Sequence, residues 1–410
     1  MTNWFTTYQN DGATPWGRLS DPWPVTGPNL PIGSSQGLLS FIGDAVSGPF
    51  RDVHPTPYEQ SWSFGIQREL AGGVLIDANY VGKKGTKLYY GGANQFNHLG
   101  PEIEGYSADQ IAALNTFVPN PFFGIITSGS LSGPEIQAYQ LKLPYPQFSS
   151  FANDELPVAN SIYHSFQLKA DKRFSNGLQF LLTYTLSKSI DDASVQGLTG
   201  FLGGYSSLQD PNNRRLERSL SQFDSTHVLG INYAYELPIG RGKAIGTNWN
   251  PWLNGIIGGW KTNGIWQFSS GNPLGLGLTG GQSLPTYGGQ RPSLTGALER
   301  NTGPDFVDKY FANPQVAVTP ARYAVGTAPR TLPNLRAPGV NIASLSVFKG
   351  FSMSRFREGM RLEYRCEAFN AFNHPHFGAP DTTVNSPTFG QIFSLATSPR
   401  EFQMGLKLYW

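Results

Sequence analysis

The sequence has one cysteine, Cys366, and few charged residues for its length. A single cysteine excludes an intrachain disulfide framework and a cysteine-based zinc site. Charged residues make up 14% of the 410 residues, against about 25% in an ordinary soluble domain. Lys and Arg number 30 and Asp and Glu number 28, so the net charge is only +2. This balance, without a run of basic residues, argues against nucleic acid as a partner.

Long apolar runs are missing as well. No stretch approaches the roughly 18 apolar residues of a membrane-spanning helix. The N-terminus has neither the basic nor the apolar segment of a signal peptide, and it opens on a stretch dense in Pro, Gly and Ser. Either the protein is cytosolic or the chain is a piece of a longer precursor, and the loop-rich opening favours the second. We expect residues 1–61 to be an extracellular-loop-like segment.

Glycine, proline and aromatic residues are abundant, with 48 Gly, 31 Pro and 13% aromatics. Apolar and polar residues alternate along much of the chain, which predicts β-strands. Nine strands are predicted, with a possible tenth at 388–396. The nine are 62–70, 74–82, 161–174, 178–190, 227–237, 258–270, 342–350, 360–372 and 401–410. The fold class is therefore all-β.

The connections between these strands alternate in length. The short ones fall near 71–73, 175–177, 239–257 and 351–359, and the long ones near 83–160, 191–226, 271–341 and 373–400. Transmembrane barrels have short periplasmic turns and long extracellular loops, whereas soluble domains seldom contain repeated long structureless loops. Residues 62–410 are therefore predicted to form part of an antiparallel transmembrane β-barrel with long extracellular loops.

The last strand is strongly amphipathic and ends on an aromatic residue. Its apolar positions alternate with Glu401, Gln403, Gly405 and Lys407. Bacterial outer-membrane barrels typically end in this way, and the barrel assembly machinery recognises that strand. The predicted outer-membrane insertion signal is Phe402, Met404, Leu406, Leu408 and Trp410.

Four charged residues recur at a two-residue period on one face of a predicted strand: Arg361, Glu363, Arg365 and Glu367. They are candidates for lining a polar lumen and contacting a substrate or plug. The favoured interpretation is a cross-strand ladder of charge pairs that stabilises the barrel wall. Both interpretations place them on a polar interior face.

Other residues with catalytic or metal-binding potential give weak signals. His374 and His376 flank a proline and lack a third ligand nearby, so a structured turn is favoured over a metal pair. The mixed run from Arg214 to Arg218 suits a barrel rim or lumen. No catalytic triad and no phosphate-binding loop is evident. We expect no catalytic residue, metal or cofactor, and hence no enzyme. Asp191, Asp192, Asp210 and Asp224 lack the spacing of a calcium loop, which favours turn capping or solvation.

Several segments carry a family resemblance, in order, from about residue 55 to 410. They are SWSFGIQREL with NYVGKKGTKL, YHSFQLKADKRFSNGLQFLLTYTLSKSIDD, RRLERSLSQFDSTHVLGINYAYELPIGRGK, GGWKTNGIWQFSSGNPL, LPNLRAPGVNIASLSVFKGF, RLEYRCEAFNAFNHPHFG and PREFQMGLKLYW. Together they resemble the C-terminal barrel half of Oar-like TonB-dependent outer-membrane receptors, a large type abundant in Acidobacteria.

The resemblance implies that a carboxypeptidase-regulatory-like domain, a TonB box and a plug precede a barrel of about 22 strands. The nine or ten strands of this chain would then form an incomplete arc of that barrel. The implied function is uptake of a substrate, as yet unknown, across the outer membrane of a Gram-negative cell. The implied partners are outer-membrane lipid, the barrel assembly machinery and TonB, which would act through an N-terminal region that this chain lacks. Specificity would lie in the long loops.

Two other protein classes fit the same pattern. A secreted or surface β-sandwich adhesin could bind glycans through exposed Trp and Tyr, and it predicts two sheets whose apolar faces meet. A small self-contained porin or enzyme barrel predicts instead that the first and last strands pair.

Overall fold

The computed structural model describes residues 37–39, 41–47, 55–90, 96–127, 129–152, 156–193 and 208–410. One large antiparallel sheet dominates it. Its nine main strands are β1 (Tyr58–Leu70), β2 (Val74–Tyr90), β3 (Leu156–Ser175), β4 (Leu178–Asp191), β5 (His227–Glu236), β6 (Lys261–Ser269), β7 (Val340–Ser352), β8 (Arg361–Phe369) and β9 (Glu401–Tyr409).

Each strand of this sheet pairs with the next one in the chain, and a short tenth strand, Ser219–Leu220, pairs with β4. All nine predicted strands are confirmed. β1 begins at Tyr58, inside the segment predicted to be loop, and most of 1–61 lies outside the described residues. β2 runs on to Tyr90, beyond the predicted end at 82, because Lys83 and Lys84 interrupt the apolar alternation but stay paired with β3. Around Lys87 the register with β3 shifts, and pairing resumes at Leu88.

The possible tenth strand at 388–396 and the pairing that a self-contained barrel would require are both missing from the described residues. Residues 388–396 form no strand, and only an isolated bridge joins Phe377 to Leu395. Local turns take up this segment's backbone, with hydrogen bonds from Phe389 N to Ser386 O and from Gln391 N to Thr388 O. The pairing of first and last strands, expected of a self-contained barrel, is also absent from the described residues, where β1 and β9 lie at opposite edges.

The strand register gives the sheet one apolar and one polar face, because residues directly opposite each other in antiparallel strands share a face. One cross-strand row joins Phe64, Tyr80, Phe166 and Leu186. Another joins Leu345, Ala368 and Phe402. The apolar face therefore runs from β1 to β9, and it is not covered by a second sheet in the described part of the chain.

Tight turns at one end of the sheet account for two of the short connections. Asn176 and Gly177 link β3 to β4 with φ of 52° and 78°. Positive φ at both central residues fits the right-handed twist of a two-residue hairpin, and Asn-Gly tolerates it best. Gly72 and Gly73 likewise adopt positive φ between β1 and β2. We call this end of the sheet the turn end.

Two short helices lie in the connections. α1 (Ala108–Leu114) begins with a capping box between Ser107 and Gln110. α2 (Pro251–Ile257) lies at the turn end, between β5 and β6, and its first turn is capped by Asn250. Neither of these helices, nor any other helix among the described residues, has the length and apolar character needed to span a membrane.

The long connections lie at the opposite end of the sheet and pack into a body that we call the loop cap: 96–152, 208–226, 270–339 and 370–400. One apolar core centres on Tyr310, Phe311 and Leu332. A second joins α1 to Leu284. The cap also contains 3-10 helices at Pro101–Gly105, Ala138–Lys142, Arg214–Glu217 and Pro314–Val316. Its paired short strands are Phe117–Pro119 with Glu135–Gln137, Gly277–Leu278 with Thr383–Val384, and Ser293–Leu294 with Ala317–Val318.

A piece of the N-terminal segment contacts the loop cap. A 3-10 helix at Gly37–Leu39 precedes the strand Ala45–Ser47, which pairs in parallel with Ser150–Ala152. Residue Ile42 packs with Phe122 beside Ile126, Leu131 and Ile136 in a third small core. Residues 37–39 and 41–47 thus add to the loops, whereas residues 58–61 belong to the main sheet.

Candidate functional site: the polar face and the loop cap

The polar face of the sheet holds all the carboxylates of the nine main strands. Register and two-residue periodicity place each of them opposite to the apolar side chains. They are Glu59, Glu69, Asp77, Asp171, Asp191, Glu236, Glu363, Glu367 and Glu401. In a soluble sheet whose outer face is exposed to water, acidic residues are expected on that face. A face that contacts lipid excludes them, because an ionised carboxylate is costly there.

Arg361, Glu363, Arg365 and Glu367 lie together on the polar face of β8. Arg365 contacts both acids, at 3.1 Å to Glu363 and 3.6 Å to Glu367, and Arg361 lies 3.9 Å from Glu363. These pairs run along one strand rather than across strands. The arginines also cover neighbouring rings, Arg361 over Tyr409 and Arg365 over Phe348. The geometry is that of a charge ladder along β8 and not of the expected cross-strand ladder. A role in lining a lumen stays a prediction.

A cavity of about 670 Å³ opens on the polar face toward the turn end. Its lining includes Asp171, Gln179, Asn232, Asn263 and Glu367, which come from β3, β4, β5, β6 and β8. Side chains from strands so far apart can border one cavity only if the polar face is concave. The apolar face is then convex, as expected for an arc of barrel wall.

Three buried ion pairs fasten the longest loop, 270–339, to the shorter loop before β5 and to the end of β4. Arg330 Nη2 lies 2.6 Å from Asp191 Oδ1, Arg291 Nη1 2.7 Å from Glu217 Oε2, and Arg336 Nη2 2.5 Å from Asp224 Oδ2. We call these three pairs the loop latch. Glu217 is fully buried, and Arg330 is almost so.

Further hydrogen bonds satisfy the charges of the loop latch. Glu217 Oε1 accepts from Gln209 N, and Glu217 O accepts from Arg330 Nε. Asp224 Oδ1 accepts from Ser189 N on β4. Buried charges are tolerated only when paired and hydrogen-bonded in this way. The latch therefore fixes the loop cap to the mouth of the sheet.

The latch was missed in the sequence because its partners lie more than 70 residues apart. Asp191 and Asp224 are ion-pair partners. The run from Arg214 to Arg218 contributes the buried Glu217, while Arg215 and Arg218 are exposed. No local pattern distinguishes these residues from ordinary loop charges. Of the other two acids, Asp210 caps a turn by accepting from Asn212 N. Asp192 accepts from Asn160 N on β3 and lies 3.8 Å from Arg214 Nη2.

Tyr287 joins three loops through its hydroxyl group. That hydroxyl accepts a hydrogen bond from Asn212 Nδ2 at 2.7 Å and donates one to Glu104 Oε1 at 3.1 Å. Burial raises the pKa of Tyr287 above its ordinary value. The phenol therefore stays protonated and able to donate at physiological pH.

The histidine pair forms a turn, as favoured from the sequence. His376 is buried, with Nδ1 at 2.8 Å from Thr397 Oγ1 and Nε2 at 2.7 Å from Asn341 O. Both ring nitrogens are thus engaged with the protein. Within the described ranges, no group of three or more His, Cys, Asp or Glu side chains is placed to hold a metal ion.

The predicted insertion strand is β9, at the edge of the sheet. Phe402, Met404 and Leu406 are each more than 60% exposed on the apolar face, and Leu408 continues the row. Trp410 follows the strand and is also exposed. The arrangement presents a continuous apolar stripe at a free edge. Its recognition by assembly machinery stays a prediction.

Asp381 gives the loop cap a pH-dependent contact. Burial opposes ionisation, but hydrogen bonds from Ser386, Thr388 and Thr383 outweigh it and lower the pKa of Asp381 to about 2. Thr388 Oγ1 lies 2.7 Å from Asp381 Oδ2, and Thr383 N lies 2.9 Å from Oδ1. The carboxylate is held in its charged form by these donors.

The depressed pKa of Asp381 predicts acid sensitivity. Its pKa is about 3.9 when unfolded, so the charged form stabilises the cap above that pH and the stabilisation is lost as pH falls toward 2. We expect about 1–2 kcal/mol, allowing for screening. Asp381→Asn should lose that stability near neutral pH and flatten the change in pepsin susceptibility between pH 4 and 2. The exposed Asp308→Asn is the control. Equal pH profiles for Asp381→Asn and the unaltered protein would contradict the assignment.

The sheet is apolar on one face only, and that face is convex. Short turns lie at one end of the sheet and a folded cap lies at the other. These features are those of the wall of a transmembrane β-barrel. The chain belongs to the outer membrane beta barrel domain family, whose model matches residues 2–403. The protein is therefore located in the outer membrane.

Two solved structures share a remote similarity with the chain. One is the FpvAI–pyocin S2 complex, with 10% identity and a TM-score of 0.35, covering 85% of this chain and 27% of that one. The other is P. aeruginosa FpvA bound to heterologous pyoverdines, with 9% identity and a TM-score of 0.31, covering 85% and 26%. The chain thus spans about a quarter of the length of these receptors. A search of the curated proteins gives no match.

Proposed function

We propose that this chain is the C-terminal barrel portion of an Oar-like TonB-dependent outer-membrane receptor that takes up a substrate across the outer membrane. The observation that carries the proposal is the pair of open edges. β1 and β9 each pair on one side only among the described residues. In lipid, an unpaired strand edge leaves backbone N–H and C=O groups unsatisfied, so further strands are needed to close the wall.

The concave polar face supports a transport role. Its charged and amide side chains would line a water-filled or plug-filled lumen, where Arg361, Glu363, Arg365 and Glu367 would contact a substrate or plug. The loop cap would provide the external binding surface, because it lies at the end opposite the periplasmic turns. Neither role needs covalent chemistry, so the proposed protein is a transporter and not an enzyme.

The remaining partners follow from the family resemblance. Energy would reach the receptor from TonB through a region N-terminal to this chain, and the barrel assembly machinery would insert the wall through β9. The adhesin alternative is not favoured by any contact, since the apolar face of the sheet has no second sheet against it in the described residues.

Fractionation of the full-length parent protein tests the proposal. We expect it in the outer-membrane fraction, released only by detergent, with the extra strands and a plug encoded upstream in the same reading frame. Recovery of the protein in the soluble fraction without detergent would contradict the proposal. A stop codon and promoter immediately before Met1 would contradict the partial-barrel interpretation.

A further inference from the structure

The connection between β5 and β6 carries a short helix, α2, whose apolar side chains face away from the protein. Trp252 is 84% exposed and Ile256 69% exposed, one helical turn apart, and Leu253 and Ile257 are exposed as well. No residue of Pro251–Ile257 is charged. A contiguous apolar patch of this kind is unfavourable in water and indicates a partner.

α2 is attached to the apolar face of the sheet. Lys349 lies on that face of β7, since it is paired with Tyr364 and, through it, with Leu406. Its Nζ donates hydrogen bonds to Asn254 O at 3.1 Å and Gly255 O at 2.6 Å. The Lys349 side chain is therefore buried beneath the helix, although its surroundings on the sheet are apolar.

Trp260 makes a second attachment. Its Nε1 donates to Ile256 O at 2.9 Å, and its ring meets the Tyr364 ring edge-on at a centroid distance of 6.2 Å. Asn254 Oδ1 also accepts from Arg241 N at 2.7 Å. These contacts hold the helix in one orientation against the same face that is directed toward lipid.

Side chains and backbone of the protein satisfy three carbonyl groups of the last helical turn. Asn254 O accepts from Gly258 N and Lys349 Nζ, Gly255 O from Lys349 Nζ, and Ile256 O from Trp260 Nε1. The last carbonyl groups of a helix normally bond to water. Internal satisfaction is the requirement for backbone in a medium with little water.

We propose that α2 is an interfacial anchor that inserts Trp252 and Ile256 into the headgroup–acyl boundary of the periplasmic leaflet. The helix lies at the end of the short turns, which is the periplasmic end of such barrels, and it continues the lipid-facing surface of β7 and β8. Trp is favoured at this depth because one end of the side chain is apolar and the other can hydrogen-bond. Lys243 in the same connection is paired with Glu236 at 3.2 Å, but Arg241 is exposed, which suits a boundary rich in lipid phosphates.

Quenching of Trp252 by brominated lipids tests the anchor. The outer-membrane protein is reconstituted in phosphatidylethanolamine–phosphatidylglycerol vesicles with acyl chains brominated at a shallow or a deep position. The emission of Trp252 is obtained as the difference between the unaltered protein and Trp252→Phe. We expect shallow bromine to reduce this emission about twofold or more, and deep bromine to reduce it less.

Trp266→Phe is the matched control, because Trp266 lies on the apolar face of β6 and its emission should also be quenched by brominated lipid. The proposal would be overturned if neither brominated lipid changed the emission of Trp252 while aqueous iodide quenched it. That result would indicate a periplasmic protein partner instead. The inference depends on the outer-membrane location and not on transport, so a failure of the uptake proposal leaves this result intact.

Discussion

Replacing Arg330 with methionine is expected to destabilise the closed loop cap by about 3–5 kcal/mol, a change of roughly 10²-fold to 5 × 10³-fold in its opening equilibrium. The guanidinium group is almost fully buried and contacts Asp191 at 2.6 Å. Methionine fills much of the same volume but leaves the Asp191 carboxylate without its cation in a site that water barely reaches. The cost therefore comes chiefly from an unpaired buried charge and less from lost packing.

Hydrogen exchange and limited proteolysis of the loop 270–339 would measure this effect. The double variant Arg330→Met with Asp191→Asn should recover much of the lost protection, because it removes the orphaned charge. Lys309→Met is the matched control. The Lys309–Asp305 pair lies in the same loop at 3.7 Å, but both side chains are at least half exposed. We expect that variant to change stability by less than about 0.5 kcal/mol. Equal protection for the Arg330 and Lys309 variants would contradict the loop latch.

The sequence predicts the strands of the sheet but not the ion pairs of the loop latch. The strands were predictable because each is defined by a two-residue period that lies within ten or so residues. The 178–190 segment needs no distant information to be recognised as amphipathic. The polar face follows from the same period, which is why the sequence alone places Glu363 and Arg365 on one side of the strand.

The loop cap follows different rules. Arg330 and Asp191 are separated by 139 residues, and nothing near either residue signals the other. Tyr287 likewise contacts Glu104 from 183 residues away. For residues 388–396 the sequence predicts a strand that does not form. The β-like composition is overridden by turns around Asp381 and by the positive φ of Gly390. Local patterns predict elements that extend along the chain, and they do not predict which loops pack together.

The substitution Leu406→Arg is expected to remove most of the protein from the outer membrane. Leu406 lies near the middle of β9, on the apolar face, where it is 67% exposed and opposite Tyr364. A basic side chain facing lipid near the bilayer midplane costs about 2–4 kcal/mol. Because β9 is also the predicted insertion signal, Leu406→Arg would disrupt both the folded wall and the strand presented to the assembly machinery.

The matched control makes the same substitution on the other face of the same strand. Gln403 pairs with Glu367 on the polar face, so Gln403→Arg places the new charge beside a carboxylate and away from lipid. We expect this variant to reach the outer membrane at nearly unaltered levels, while the amount of Leu406→Arg falls about tenfold or more. Quantitative fractionation with urea extraction would separate inserted from loosely bound protein. If the two variants inserted equally well, the assignment of the apolar face of β9 to lipid would be wrong, since the difference depends only on which face of one strand carries the charge.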